Sequence, residues 1–497
     1  MKALAAWCVA AGVILVLAAS SSRLGLATQR RELLQGPPPL SADAVAGAAR
    51  PGAARGTLGR MGRVEAPAVV LPPESTGSTA YRAAYQLCRG AHAQAPLLPQ
   101  LQRAAAWDGA NSSKDSNVTV VTTLHVNELP LLEVHCAVWP HKIAAAVYAP
   151  VDASGHVACL DRWGIPRQQG WLSGLFLRAG LGSEPCAFAG WSKARLRHHV
   201  RGVQQRAQAR GMCNLQMELY TEKIGEEMGP AARLLPQAAL QNRILAALQP
   251  EKADDHHAVV LLDGDMVSVD VWQLANWPVR WQRAEQQMQE GRALVLPGFQ
   301  LSPAGALAAI RAVGRRSSAE LAALQGAVDI ITAEAGKFPL RDAYLAGRAQ
   351  ALQDRGFASS QEAAVPELWF EAGDMHGLPD DGYPALLQPG FAPFVFMLQR
   401  HVPWADERLR GTYYHRAWQA VVARAQGQQH VVQPNTFALQ LPHEAAYSRH
   451  EASLAAFQAV EPVFQQLLQE VGAGGYLPVT SFPERCTAHP EPAASAA

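Results

Sequence analysis

Ala258-Val259-Val260-Leu261-Leu262-Asp263-Gly264-Asp265-Met266 is the stretch on which the reading of this chain turns. Its first five residues are apolar and rich in β-branched side chains, which suits a strand buried on both faces. The run ends in two carboxylates spaced i and i+2 with a glycine between them. Asp-Gly-Asp also serves plain strand-to-turn connections, because both residue types accept the backbone geometry of turns. At the carboxyl end of a buried strand, however, the same pair supplies the oxygen ligands that hard divalent cations such as Mg²⁺ and Mn²⁺ take.

Upstream, the hydrophobic spacing predicts strands over 118–126, 143–148 and 215–220. A helix over 129–137 follows the first, and a basic helix over 192–210 precedes the third. An amphipathic helix over 234–248 leads into the acidic strand, and 151–190 reads as an irregular insertion. This βαβαβ order predicts an α/β fold: a doubly wound, mostly parallel twisted sheet flanked by helices, with ligands bound beyond the carboxyl ends of its strands. Asp263 and Asp265 stand at such an end.

The N-terminus places the chain in a compartment. Leu4 to Ala19 is almost wholly apolar, preceded by Lys2 and followed by Arg23, Arg30 and Arg31. Residues 1–22 therefore read as a signal anchor or a cleavable signal peptide, with Ala18-Ala19-Ser20 as a small-residue cleavage region. Gly36 to Thr76 is rich in Pro, Ala, Gly and Arg without a helical or strand period, so 23–77 reads as a disordered stem. A membrane-proximal segment, a stem and a lumenal domain over 78–497 form the layout of a type II Golgi membrane enzyme, or of a secreted protein if the first segment is cleaved. The sequons Asn111-Ser112-Ser113 and Asn117-Val118-Thr119 agree with a lumenal location. Of seven cysteines, Cys8 lies in the apolar segment, and the remaining even number permits disulfides whose connectivity is not readable from spacing.

Composition bounds the partners. With 49% hydrophobic residues, 17% charged and a net charge of +1, the body is large and globular, and no nucleic-acid partner held by phosphate contacts is expected. Arg195, Arg197 and Arg201, near His198 and His199, read as a solvated helix face. No internal repeat is present.

Several further segments, in order, carry a resemblance. They are Val118-Thr119-Val120-Val121-Thr122-Thr123-Leu124 with Leu131-Leu132-Glu133, then Pro236 to Asn242, then the acidic strand, then Leu296-Pro297-Gly298-Phe299-Gln300. Phe391-Ala392-Pro393-Phe394-Val395, Asp406-Glu407-Arg408-Leu409-Arg410 and Pro434 to His443 follow. Together, over roughly Val118 to His443, the chain resembles the glycosyltransferase family that contains the LARGE glucuronyl domain and β-1,4-glucuronyltransferase, built on the GT-A nucleotide-sugar-binding fold.

The resemblance implies a UDP-sugar donor, a Mn²⁺ or Mg²⁺ cofactor, a glycan or glycoprotein acceptor, and inverting transfer of glucuronic acid or a related sugar such as xylose. It implies that Asp265, and Asp263 directly or through water, hold the metal. His443 or Gln440 would close its coordination shell. Asn242 would bond the donor sugar or its neighbouring backbone, and Thr122 and Thr123 would line the nucleotide pocket. Three positions depart from the family pattern: Gln241 replaces an arginine, Ala392 an acidic residue, and Gln440 the metal-binding histidine. With Ala392 there, the acceptor's proton would pass to Glu371 or to Glu367 or Asp374, which also read as solvated loop charges. The same departures keep a second class open, a catalytically inactive glycan-binding or scaffolding protein of the same fold.

Other residues read as structural. Adjacent His256 and His257 point to opposite sides of an extended segment and cannot both join the aspartates. Trp272, Trp277 and Trp281 follow at helix-like spacing and suit core packing. Gly472-Ala473-Gly474-Gly475 lacks a following helix and basic residue, and so reads as a loop.

Overall fold

The structure, a computed structural model, describes residues 89–90, 97–109, 117–139, 141–160, 188–209, 213–225, 227–248, 256–269, 271, 277–302, 337–352, 364–372, 382–385, 390–411, 413–441, 451–473 and 476–480. All of them belong to the compact unit Ala66–Ala497. The apolar N-terminal segment and the stem lie outside the described residues, as do Asn111, Trp272, Asp374 and His443. Among the described residues no helix is long and apolar enough to cross a membrane.

The strands in chain order are β1 (Arg89–Gly90), β2 (Gln102–Trp107), β3 (Val118–His125), β4 (Lys142–Val151), β5 (Asn214–Lys223), β6 (Ala258–Asp263), β7 (Met266–Val269) and β8 (Arg292–Leu296). They continue with β9 (Gly298–Leu301), β10 (Ala349–Ala351), β11 (Tyr383–Pro384), β12 (Phe394–Leu398), β13 (Gln429–Val432), β14 (Phe437–Gln440) and β15 (Val479–Thr480). The helices are α1 (Leu129–Val138), α2 (Lys193–Ala209), α3 (Pro230–Arg233), α4 (Gln237–Ala247), α5 (Pro278–Gln289), α6 (Lys337–Leu345), α7 (Pro366–Glu371), α8 (Tyr413–Ala425) and α9 (Glu451–Gly472).

The main sheet has nine strands in the order β11-β13-β8-β12-β6-β3-β4-β5-β2. Its centre, β6-β3-β4-β5, is parallel, as the βαβαβ reading expects. The sheet as a whole is mixed: β12 runs antiparallel to both β6 and β8, and β2 and β11 are antiparallel edges. The chain winds from β3 through β4 to β5 on one side and then places β6 on the other side of β3. The β3–β6 boundary is therefore the topological switch point, where the crevice of such a sheet opens.

Alternation with period 2 assigns the side chains to two faces. Val118, Val120 and Leu124 of β3 and Ala258, Val260 and Leu262 of β6 enter one core with Leu132 of α1 and Leu196 and Val200 of α2. Val121, Val259 and Leu261 face the other way, onto Leu240 and Ile244 of α4. Burying both faces is what the continuous apolar strand in the sequence demands.

In α2, Leu196, Val200, Val203 and Ala207 are buried while Arg195, Arg197 and Arg201 face solvent, the solvated basic face expected. The helix expected over 234–248 is shorter: α3 ends before it, and Pro236, which cannot donate a backbone hydrogen bond, caps the start of α4. Nor is α4 amphipathic, since Gln237, Gln241 and Asn242 are buried along with its apolar residues.

A second sheet, β10-β9-β14-β7, continues from β6 and β8. Gly264 turns the chain out of β6 into β7, and Pro297 separates β8 from β9. In this sheet Gln440 of β14 pairs with Met266 of β7. A disulfide between Cys136 of α1 and Cys213, just before β5, ties the first crossover to the sheet.

Candidate functional site

The crevice forms where β3 and β6 end side by side. Thr123 and Asp263 are register partners, so the last residue of the acidic strand lies beside the carboxyl end of β3. Gly264 then passes over β3 at a distance no other residue tolerates: a Cβ there would stand 2.7 Å from Leu124 Cβ and 2.9 Å from the Thr123 carbonyl oxygen. The glycine between the two aspartates is thus a packing requirement as well as a turn residue.

The turn sends the two carboxylates to different neighbours. Asp263 shares the face of Leu261 and is only 5% exposed. One of its oxygens accepts a hydrogen bond from Gln237 Nε2, and the other lies 3.3 Å from Arg416 Nε of α8. The guanidinium is held in turn by a 2.8 Å bond from Nη1 to the Ala392 carbonyl and by the ring of Phe394, 4.4 Å away. Asp265, 4% exposed, faces the second sheet. Its Oδ2 accepts from Gln440 Nε2 at 3.0 Å, and its carbonyl accepts from Leu441 N at 2.7 Å.

His135 of α1 closes the turn from below. Its Nε2 lies 3.0 Å from the Gly264 carbonyl, so the proton sits on that nitrogen. Burial holds the imidazole below the ordinary histidine range, against the Gly264 hydrogen bond and the Asp265 charge, both of which favour the protonated form. His135 is therefore a neutral donor that braces the turn.

A recess beside Asp263 is lined by Thr123, Gln237, Gln241, His415, Arg416 and Gln419, among others. Its free space is about that of one water molecule. Thr123 Oγ1, Gln237 Oε1, Gln241 Nε2 and Gln419 Nε2 are buried without a hydrogen-bond partner. Buried polar atoms of this kind are normally satisfied by water or a ligand. The interior of the recess is too small to enclose anything larger than a water.

The site residues expected from the sequence fall into three groups. Thr123, Gln241 and Asp263 come together around the recess, and Asp265 meets Gln440 one turn further on. Thr122 does not join them: the pleat turns it to the face of Val120 and Leu124, away from Thr123. Asn242 is also placed elsewhere. Its Oδ1 accepts from Ala405 N at 2.9 Å, and its Nδ2 donates to Ala405 O at 2.8 Å and Glu407 Oε1 at 3.2 Å. A fully buried amide spent on these partners clamps α4 to the 405–407 segment, so it is not exposed to a sugar. Glu371 stands exposed at the end of α7, and among the described residues no hydrogen bond or ion pair joins it to either aspartate. Glu367 accepts from Tyr344 Oη at 3.0 Å.

His256 and His257 lie at the opposite end of β6, bonded to Glu285 and Thr119. Trp281 packs against the core, whereas Trp277 is 52% exposed with Arg280 over its ring.

The donor set can be tested against a divalent cation. A carboxylate oxygen of Asp265 and the amide of Gln440, whose oxygen can be turned inward, fit such an ion. Asp263 fits less well, because Gln237 and a permanently charged guanidinium already address its two oxygens. Among the described residues no three His, Cys, Asp or Glu side chains converge.

Arg416, Gln237 and His135 were not visible as site residues in the sequence. Arg416 and His135 come from helices more than a hundred residues away and Gln237 from the helix just before β6, and an isolated Arg, Gln or His on a helix carries no spacing signal. No protein-family model matches this chain, and no curated protein matches it either.

Proposed function

We propose that this protein is a metal-dependent glycosyltransferase of GT-A type that moves a sugar from a UDP-sugar donor to a glycan acceptor in the secretory pathway. The observation that carries the reading is the placement of Asp263-Gly264-Asp265 at the switch point of the sheet, with Gln440 delivered to Asp265 by β14. The Cys136–Cys213 disulfide supports an oxidising compartment.

Asp265 and Gln440 would hold Mn²⁺ or Mg²⁺ there, which when bound offsets the charge of the departing diphosphate. Thr123 and Gln241 would hydrogen-bond the nucleotide at the mouth of the recess. Asp263 and Arg416 form a charge-balanced pair that fixes the near wall. The acceptor hydroxyl must lose a proton to a carboxylate, and Glu371, exposed at the end of α7, is the residue assigned to it.

A second reading has its own support. Gln237 and Arg416 on Asp263, and Gln440 on Asp265, satisfy the acidic pair with protein donors, as a catalytically inactive glycan-binding protein would. Thermal stability of the protein with UDP, with and without Mn²⁺, separates the two. A transferase should gain stability from UDP in a Mn²⁺-dependent way, and Asp265→Ala should lose that gain while still folding. Stabilisation by glycans alone, with no response to UDP and Mn²⁺, would select the binding protein. A screen against several UDP-sugars then identifies the donor.

A further inference from the structure

We propose that Asn117 carries an N-linked glycan and that the glycan is attached before β3 is built into the sheet. The sequon Asn117-Val118-Thr119 straddles the start of β3, and its three residues have different surroundings. Asn117 is exposed, whereas Val118 and Thr119 are each 0% exposed. A glycan on the Asn117 amide therefore projects into solvent and displaces nothing from the core. The Cys136–Cys213 disulfide belongs to the same kind of compartment in which such glycans are added.

The inference rests on the secretory-pathway location in the proposed function but not on transferase activity, and the position of Asn117 is compatible with that activity. Asn117 lies at the amino end of β3 and the acidic pair at the carboxyl end of β6, its parallel neighbour. An eight-residue strand separates the two ends by roughly 25 Å. The glycan would stand on the far side of the sheet from the crevice.

The timing follows from what the sequon threonine does in the folded chain. Thr119 Oγ1 lies 3.0 Å from His257 Nε2, and the Asn117 carbonyl accepts a 2.7 Å hydrogen bond from Ala258 N. The contacts come from His257, 138 residues after Thr119, and from Ala258, the first residue of β6. Once β6 pairs with β3, the hydroxyl that a glycosylating enzyme must read is buried. Transfer forms a bond from the Asn117 amide nitrogen to the sugar's anomeric carbon. It breaks that carbon's bond to the diphosphate of the lipid carrier, which leaves, and the amide gives up one proton. The unpaired interval lasts as long as synthesis of those intervening residues, on the order of 10–30 s.

The test is expression of the full chain in a eukaryotic secretory host, with enzymatic removal of N-glycans and mass spectrometry of the peptide containing Asn117. The expected result is conversion of Asn117 to Asp on glycan removal, and one glycan fewer on the gel for Asn117→Gln. Thr119→Ser should keep the glycan and Thr119→Val should lose it. A second arm takes the full chain made with glycosylation blocked and offers it, folded or reduced and unfolded, to microsomes containing the glycosylating enzyme. Modification of the unfolded chain at least ten times faster than the folded chain supports the order of events. An unmodified Asn117, or glycan found at Asn111 alone, would overturn the assignment, and equal rates for folded and unfolded chains would overturn the timing.

Discussion

Replacing Asn242 by Ala separates the two roles open to this residue, ligand contact and internal clamp. The structure gives the magnitude. Asn242 is fully buried, accepts from Ala405 N, and donates to Ala405 O and to Glu407, itself 0% exposed. Truncation orphans a buried N–H and removes one donor from a buried carboxylate, each worth roughly 1–3 kcal/mol, and also weakens a carbonyl. Glu407 keeps its 2.8 Å bond from Thr480 Oγ1, and a water can enter the vacated space, so part of the cost is recovered. The expected loss is about 3 kcal/mol, a large share of the roughly 5–15 kcal/mol that holds a domain together. Urea unfolding followed by tryptophan fluorescence measures it, and calorimetric titration with UDP measures the other role. The midpoint should fall while UDP affinity stays within about twofold. Asn242→Asp sharpens the test, because it sets a second carboxylate against Glu407 with no solvent to screen them. That raises the folded-state pKa of the introduced group above its unfolded value of about 3.9, so the variant should lose stability as pH rises above about 4. An unchanged midpoint together with lost UDP affinity would refute the clamp and return Asn242 to the ligand.

Three other perturbations test the frame around the site. Gly264→Ala should cost roughly 1–3 kcal/mol in urea unfolding, because the new methyl meets Leu124 and the Thr123 carbonyl at less than 3 Å; a neutral result would mean the turn can shift. His430 is buried, and burial with the nearby Arg424 charge pushes its pKa down to about 4. The unfolded chain therefore takes up its proton first, near pH 6.5. Stability should be full above that pH and fall by about 3 kcal/mol as pH drops to about 4. His430→Gln should flatten this window, and an unaltered pH profile in that variant would remove His430 as its cause. Replacing both Cys136 and Cys213 by Ser opens a link spanning 77 residues, which on chain entropy alone should cost roughly 4–5 kcal/mol by urea unfolding; a loss under 1 kcal/mol would show that the denatured chain is already constrained there.

Much of the architecture could be read from local pattern. The apolar run 258–262, the strand beginning at Val118 and the basic helix after Ser192 are all elements of the structure, because continuous burial and one-sided burial leave different periodicities in the sequence. The placement of Asp263 at a strand end, and hence at the crevice, follows from the same logic. The antiparallel insertion of β12 between β6 and β8 was not readable. Phe394 to Leu398 looks the same as a strand whichever neighbours it has, and the choice is made by pairings across about a hundred residues or more.

At the site the division is similar. Sequence alone determined which carboxylates end the central strand and that a turn glycine lies between them, and the family resemblance pointed to Thr123 and to the position of Gln241. Only the tertiary structure decided that Asn242 is spent on Ala405 and Glu407, and that Asp263 is paired with Arg416 from a helix about 150 residues away. The reason is one of range. Side-chain direction along a strand obeys a local period, whereas the partner of a buried polar group is whatever distant residue the packed fold brings within about 3 Å to offset its desolvation.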